Sequence, residues 1–229
     1  MNLKLVLFDI DGTILLTRGS GRRSLEAALE RVLGQSIRTE GIAFAGRTDR
    51  QILRDILGAA GIDLTRANGI LGEIEVAYQE EMRRLLAPED VSVLPGVRSL
   101  VESLAREPDV HLALVTGNLE PMAYLKLEAV RLAHYFPFGA FGSDAEDRNE
   151  LPAIALARAQ AHTGHRFESS SVFIIGDTVH DVQCSRSIGC RTVIVCTGTY
   201  SRQELAPHAP DLLLDDLSDH AVVVNFIRR

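Results

Sequence analysis

The run from Leu3 to Phe8 is almost wholly apolar and stops at Asp9-Ile10-Asp11-Gly12-Thr13. Such a run, ended by acids and a glycine, is the pattern of a strand buried on both faces in a parallel sheet. Similar runs recur at His111 to Val115, Val172 to Ile175 and Thr192 to Cys196, with a weaker one at Asp211 to Leu214. Helical patterns alternate with them at Val97 to Arg106, Pro121 to Ala133, Leu151 to His162, Val179 to Ile188 and Ser218 to Ile227. Strands alternating with helices predict an α/β fold built on a doubly wound parallel sheet.

Residues 17–93 break the alternation. After the first strand come three helical stretches, Arg22 to Leu33, Arg50 to Ala60 and Arg66 to Leu86, with no convincing strand among them. The last carries Ile70, Leu71, Ile74, Ala77, Tyr78, Met82 and Leu85 at close to a 3.6-residue period. Thr17 to Gly21 reads as the outgoing linker and Pro95-Gly96 as the return. The expected organisation is a core domain formed by residues 1–16 and 94–229, with 17–93 as a small inserted helical domain.

A net charge of −7 over 229 residues argues against a broad electrostatic footprint for nucleic acid or an anionic membrane, so an anionic ligand must be held locally. Lysine is scarce, with only Lys4 and Lys126, so amine chemistry has few candidates. Cys184, Cys190 and Cys196 are odd in number and form no close Cys-x-x-Cys pair, which fits small core residues in a reducing compartment. The first apolar run is too short for a signal-peptide core or a membrane span. A soluble, cytoplasmic protein is expected.

Asp9 and Asp11 stand two residues apart at the carboxyl end of a central strand, where open α/β sheets bind ligands. One carboxylate can displace a leaving group from phosphorus while the other protonates the departing oxygen and later deprotonates water. Gly12 permits the tight turn, and Thr13 is placed to orient Asp9. Four specified residues at ordinary usage match by chance in about a few chains per thousand of this length. Thr116-Gly117-Asn118 follows the second run with a hydroxyl and free backbone amides suited to a phosphoryl oxygen. Gly176-Asp177-Thr178-Val179-His180-Asp181 follows the third, with acids four apart. A phosphate beside the Asp9 carboxylate is repelled by about 4 kcal/mol per charge pair at contact, so a hard cation is called for. Magnesium suits the Asp9 side chain, the Asp11 carbonyl, Asp177 and a phosphate oxygen. Asp181 is expected behind these ligands, and Asp177 and Asp181 also suit the cap of the next helix.

In this order and at strand ends, these three motifs resemble the haloacid dehalogenase superfamily, across essentially the whole chain. The resemblance is to the phosphoglycolate phosphatase and β-phosphoglucomutase branch, whose helical cap is inserted soon after the first motif. It implies Asp9 as nucleophile, Asp11 as acid and base, Thr116 and Asn118 at the phosphate, and Asp177 on magnesium. The family usually has a lysine about thirty residues after the second motif, where this chain reads Asp147-Arg148-Asn149. Arg148 supplies the same charge with a bidentate fork. Lys126 is the rival, but helix rise is expected to carry it away from the site.

Dehalogenases of the superfamily lack an acid at the Asp11 position, and its phosphonate hydrolases use a cap lysine, of which 17–93 has none. The expected activity is a magnesium-dependent phosphatase acting on a small phosphorylated metabolite through an aspartyl phosphate on Asp9. A sugar-phosphate mutase is the alternative, and a non-catalytic phosphate-binding module a remoter one. Gly46-Arg47-Thr48-Asp49 occupies the position of the family's specificity loop. Either Arg47 clamps a distal anionic group of the substrate, or the segment simply starts a helix with Thr48 or Asp49 as its N-cap. His134, His162, His165 and His180 lack ligand spacing, with His180 the one beside an acidic motif.

Overall fold

The computed structural model describes residues 3–229; Met1 and Asn2, which open the expected core segment, lie outside the described residues. Six parallel strands form the main sheet: β1 (Lys4–Phe8), β4 (Val110–Val115), β5 (Gly139–Ala140), β6 (Val172–Gly176), β7 (Arg191–Val195) and β8 (Leu212–Leu214). Their order is β5-β4-β1-β6-β7-β8. β1 therefore lies between β4 on one side and β6 on the other, at the point where the winding reverses and a crevice opens beyond the carboxyl ends.

Alternation along β1 divides its side chains between two cores. Val6 and Phe8 join a cluster with Leu100, Val101, Leu127 and Val223, whereas Leu5 and Leu7 join Leu151, Ala155 and Cys184 on the opposite face. The first layer comes from α4 (Val97–Ala105), α5 (Glu120–Ala129) and α9 (His220–Arg228), the second from α6 (Leu151–Thr163) and α7 (Val179–Ile188). Each fully buried Leu, Val or Phe is worth about 1.5–3 kcal/mol of transfer free energy, so both faces of β1 are strongly specified.

The stretch between β1 and α4 holds α1 (Ser20–Leu33), α2 (Asp49–Ala59) and α3 (Leu64–Leu85). Thr48 and Asp63 cap the last two by accepting from Gln51 N and Arg66 N. Ile74, Ala77, Tyr78 and Met82, at the period read in the sequence, pack against Leu25, Leu29, Ile52, Leu53 and Ile56 in a core of their own. Leu119 and Met122 of the sheet domain join that cluster, so the helical unit rests directly on the turn that follows β4. A two-stranded antiparallel ribbon, β2 (Leu15–Leu16) with β3 (Ser92–Val93), forms the stem of the unit.

The structure adds to and corrects the sequence reading. β5 and the ribbon are only two residues per strand, too short for a periodicity to show. The helix expected to run to Ala133 ends at Ala129, and Arg131 takes a positive φ of 59° before a 3-10 turn at Ala133–Tyr135. A short helix, α8 (Arg202–Leu205), follows β7. Cys184 and Cys190 are buried free thiols and Cys196 is half-buried.

Candidate active site

A cavity of about 470 Å³ opens between the carboxyl ends of the strands and the helical unit, lined by Asp9, Asp11, Thr116, Gly117, Asn118, Arg148, Asp177 and, from the unit, Arg47. It therefore gathers the residues singled out from the three motifs except Thr13, His180 and Asp181, which lie outside its lining.

Asp9 is buried, and its N–H donates to Ile175 O at 2.9 Å, tying the end of β1 to β6. One carboxylate oxygen each from Asp9, Asp177 and Asp181 falls within a 4.8 Å cluster. Burial, with Asp181 and Asp11 adding repulsion against the opposing pull of Arg148, pushes Asp9 up to about 6. Burial and then Asp181 and Asp9 push Asp177 well above the ordinary carboxylate range. Three crowded acids are an all-oxygen donor set for a hard cation. The backbone leaves them room: a Cβ on Gly12 would stand 2.4 Å from Asp177 Oδ2, and one on Gly198 only 1.7 Å from it. Gly12 also has a φ of 84°, so the turn after the first acids requires glycine twice over.

Arg148 is the counterweight. Its Nη2 lies 3.1 Å from Asp9 and 2.5 Å from Asp181, with the side chain almost fully buried. Burial opposes the guanidinium charge, but Asp181 and Asp9 outweigh it and push the pKa up. Its Nε has no hydrogen-bond partner among the described residues. A buried, unmatched N–H costs about 1–3 kcal/mol.

The expectation that Lys126 lies away from the site is wrong. Its Nζ stands 2.6 and 2.8 Å from the two Asp11 oxygens and 2.6 Å from Asn118 Oδ1. Lys126 lies well along α5, but helical side chains lean toward the N-terminus and the lysine stem is long, so its head returns to the site that helix rise takes its Cα away from. Two cations thus divide the acids, Arg148 serving Asp9 and Asp181 and Lys126 serving Asp11. A second correction concerns Thr13, expected to orient Asp9: its hydroxyl donates to Asp177 Oδ1 at 2.9 Å.

Asn118 Nδ2 donates to Asp11 Oδ2 and to Thr116 Oγ1, both at 2.8 Å, which knits the second motif to the first. Asp181 is the N3 residue of a capping box with Thr178, while its other oxygen holds Arg148. Both readings of this acid therefore apply at once, as helix cap and as support for the site. His180, its pKa lowered first by burial and then by Arg148, packs against Gly46 and lines a separate cleft of about 280 Å³ with Arg47, Asp147 and Gln183.

Of the two readings of the Gly46–Asp49 segment, the helix start is realised at Thr48, and Arg47 reaches the cavity wall as well. Arg47 Nη2, however, is paired with Asp55 at 2.7 Å. The segment is clamped to the strand-end turn: Asp49 N–H donates to Gly117 O at 2.7 Å, Asp49 Oδ2 accepts from Leu119 N at 2.8 Å, and Thr48 Oγ1 donates to Glu146 O at 2.7 Å. Burial, against the pull of Lys126, pushes Asp49 up to about 6.

Several lining residues escaped sequence reasoning. Thr197, Gly198 and Thr199 follow β7, and Thr197 Oγ1 donates to Gly12 O at 2.6 Å. A fourth strand ending in a glycine-bearing turn was their available signal. Arg22, Phe44 and Tyr78 come from the helical unit, and nothing local in the sequence marks them.

The haloacid dehalogenase-like hydrolase family profile matches residues 6–186, and the chain belongs to that family. It is an enzyme of the hydrolase class. Among curated relatives it is 27% identical over 223 residues to the pyrophosphatase PpaX of Anoxybacillus flavithermus, covering 96% of this chain and 95% of that protein. It is 25% identical over 237 residues to the phosphoglycolate phosphatase of Salmonella typhimurium, covering 95% and 91%. The fold matches the crystal structure of CbbY from Rhodobacter sphaeroides in complex with phosphate, with a TM-score of 0.73 at 20% identity over 95% of this chain and 96% of that one. No helix among the described residues is long and apolar enough to cross a membrane.

Proposed function

We propose that this hydrolase is a magnesium-dependent phosphatase of small phosphomonoesters, with residues 17–93 acting as a cap over a core formed by 1–16 and 94–229. The observation that carries the reading is the pairing of a buried Asp9 with Arg148, whose Nε is unmatched, facing a cavity that also presents Asp11. The names of the relatives, phosphatase and pyrophosphatase, support it.

Asp9 attacks phosphorus, forming an Oδ–P bond as the P–O bond to the leaving group breaks. Asp11, fixed at the cavity by Lys126 and Asn118, gives the departing oxygen its proton. Asp11 then takes a proton from water as the water oxygen attacks phosphorus, the Oδ–P bond breaks, and orthophosphate leaves with Asp9 restored. Thr116, Gly117 and Asn118 bind the phosphoryl oxygens, and Arg148 carries charge onto them. Asp9, the Asp11 carbonyl and Asp177 are the groups that would hold magnesium, with Thr13 fixing Asp177 and Asp181 steadying Arg148. When bound, the metal neutralises phosphate charge so that a carboxylate can approach. The partner on this reading is a small phosphorylated metabolite, and the free thiols support a cytoplasmic location.

Orthophosphate release from p-nitrophenyl phosphate tests the reading. Wild type should turn over with magnesium and stop on chelation, and Asp9→Asn should be inert. No release by wild type, or full release by Asp9→Asn, overturns the proposal.

A further inference from the structure

Among the described residues four cations line the cavity, and three are already spoken for. Lys126 sits on Asp11, Arg148 on Asp9 and Asp181, and Arg47 on Asp55. The fourth is Arg22 on α1, for which no carboxylate lies within ion-pair distance among the described residues. It is nonetheless held rigidly. Nη1 donates to Thr39 O and Thr39 Oγ1, each at 2.7 Å, Nη2 donates to Ile42 O at 3.5 Å, and the guanidinium stacks on Phe44 at 4.1 Å from the ring centre. Glu26, one turn further along α1, accepts from the Thr39 hydroxyl instead of pairing with Arg22.

An arginine fixed by neutral acceptors and an aromatic face keeps its net charge for something else, and its side-chain entropy is already spent. The remaining donors form the planar edge that matches a carboxylate or a phosphate. Phe44, Ile52 and Leu16 give the same wall an apolar character, with Tyr78 beside them. At about 470 Å³ the cavity is far larger than a phosphoryl group, which leaves room for a leaving group to extend toward this wall.

We infer that Arg22, rather than Arg47, receives a second anionic group on the leaving portion of the substrate, so that the enzyme selects phosphomonoesters bearing a carboxylate or a second phosphate. This rests on the phosphatase reading and names the substrate class of that site. Arg22 is then a specificity-determining residue, and Arg47, bound to Asp55 of α2, braces the loop against its own helical unit.

The experiment is a paired-substrate comparison. Orthophosphate release is measured for 3-phosphoglycerate against glycerol 3-phosphate, and for fructose 1,6-bisphosphate against fructose 6-phosphate, in wild type, Arg22→Gln, Arg22→Lys and Arg47→Gln. The readout is the ratio of kcat/KM within each pair, which is insensitive to how much of a variant is folded. In wild type at least one pair should favour the second anion by about ten- to a hundredfold, a charge-assisted bond's worth. The first pair reports a carboxylate and the second a phosphate. Arg22→Gln should bring that ratio close to one, mainly through KM, and Arg22→Lys should restore part of it. A wild-type ratio near one in both pairs overturns the inference, as does a collapse caused by Arg47→Gln and not by Arg22→Gln. Should no orthophosphate appear from any member, the phosphatase reading has failed instead. The same ratios taken from dissociation constants in Asp9→Asn, with and without Arg22→Gln, then decide the role of Arg22.

Discussion

The two walls of the cavity are built on opposite plans. On the sheet side, charges are dense, buried except at Asp11, and almost completely paired: Arg148 bridges Asp9 and Asp181, Lys126 and Asn118 fix Asp11, and Thr13 holds Asp177. On the helical side, the wall is largely apolar, and its cations are spread between Arg47, tied to Asp55, and Arg22, tied only to neutral acceptors. A reaction that moves charge through phosphorus needs a preorganised, water-poor electrostatic environment. Choosing among leaving groups needs a wall whose shape and charge can change without disturbing that environment. On the proposed function this contrast separates chemistry from selection across the cavity, and it can be broken at definite points.

The largest effect should come from the sheet side. Removing one member of a buried ion pair costs about 3–5 kcal/mol, and at about 2–4 °C per kcal/mol for a chain of this size, Arg148→Met should lower Tm by about 10 °C as well as abolish turnover. Lys126→Met should leave Tm nearly unchanged, because Asp11 is 44% exposed and water can replace its partner, yet kcat/KM should fall about a hundredfold. Calorimetry and p-nitrophenyl phosphate kinetics on both variants check this; equal losses of stability would erase the distinction between the two cations.

A smaller effect should follow at the seam between the walls. A Cβ on Gly117 would stand 2.0 Å from Arg47 O, so Gly117→Ala must push the Gly46–Asp49 segment off the strand-end turn. We expect kcat/KM to fall about tenfold, comparable to a misplaced substrate, and steady-state kinetics would show it. A silent Gly117→Ala would mean that the seam has no part in the reaction.

The smallest effect is in pH dependence. Asp49 is pushed up to about 6 in the folded chain, above the ordinary aspartate value. A folded-state pKa above the unfolded one means that the folded chain binds more protons between about pH 4 and 6, so the stability Asp49 contributes is present below about 4 and lost as pH rises through 6. Asp49→Asn should therefore match wild type near pH 3.5 and melt about 5 °C higher near pH 7.5, while its amide oxygen still accepts from Leu119 N. Thermal melts of metal-free protein at the two values would check it.

The legibility of this molecule in its sequence follows the same division. β1, β4, β6 and β7 are buried on both faces, so their apolar runs and the acids that stop them stand out, and the residues singled out at those strand ends converge in space. What lay hidden depended on distances that no local pattern encodes. Lys126 reads as distant from the site because its backbone position and its ammonium position differ by the length of a lysine side chain. Thr13 points at Asp177, 164 positions away, not at its near neighbour Asp9. Arg22, Phe44 and Tyr78 matter only because the helical unit docks through Leu119 and Met122, a tertiary contact with no periodic signature.

The central claim is that Asp9 takes the phosphoryl group. Excess enzyme mixed with a 32P-labelled phosphomonoester and magnesium, quenched in acid within milliseconds and digested, tests it directly. The account predicts label in the peptide containing Asp9, released by hydroxylamine as an acyl phosphate and absent in Asp9→Asn. Label on any other peptide, or orthophosphate formed with no labelled protein at any time in the burst, would contradict it.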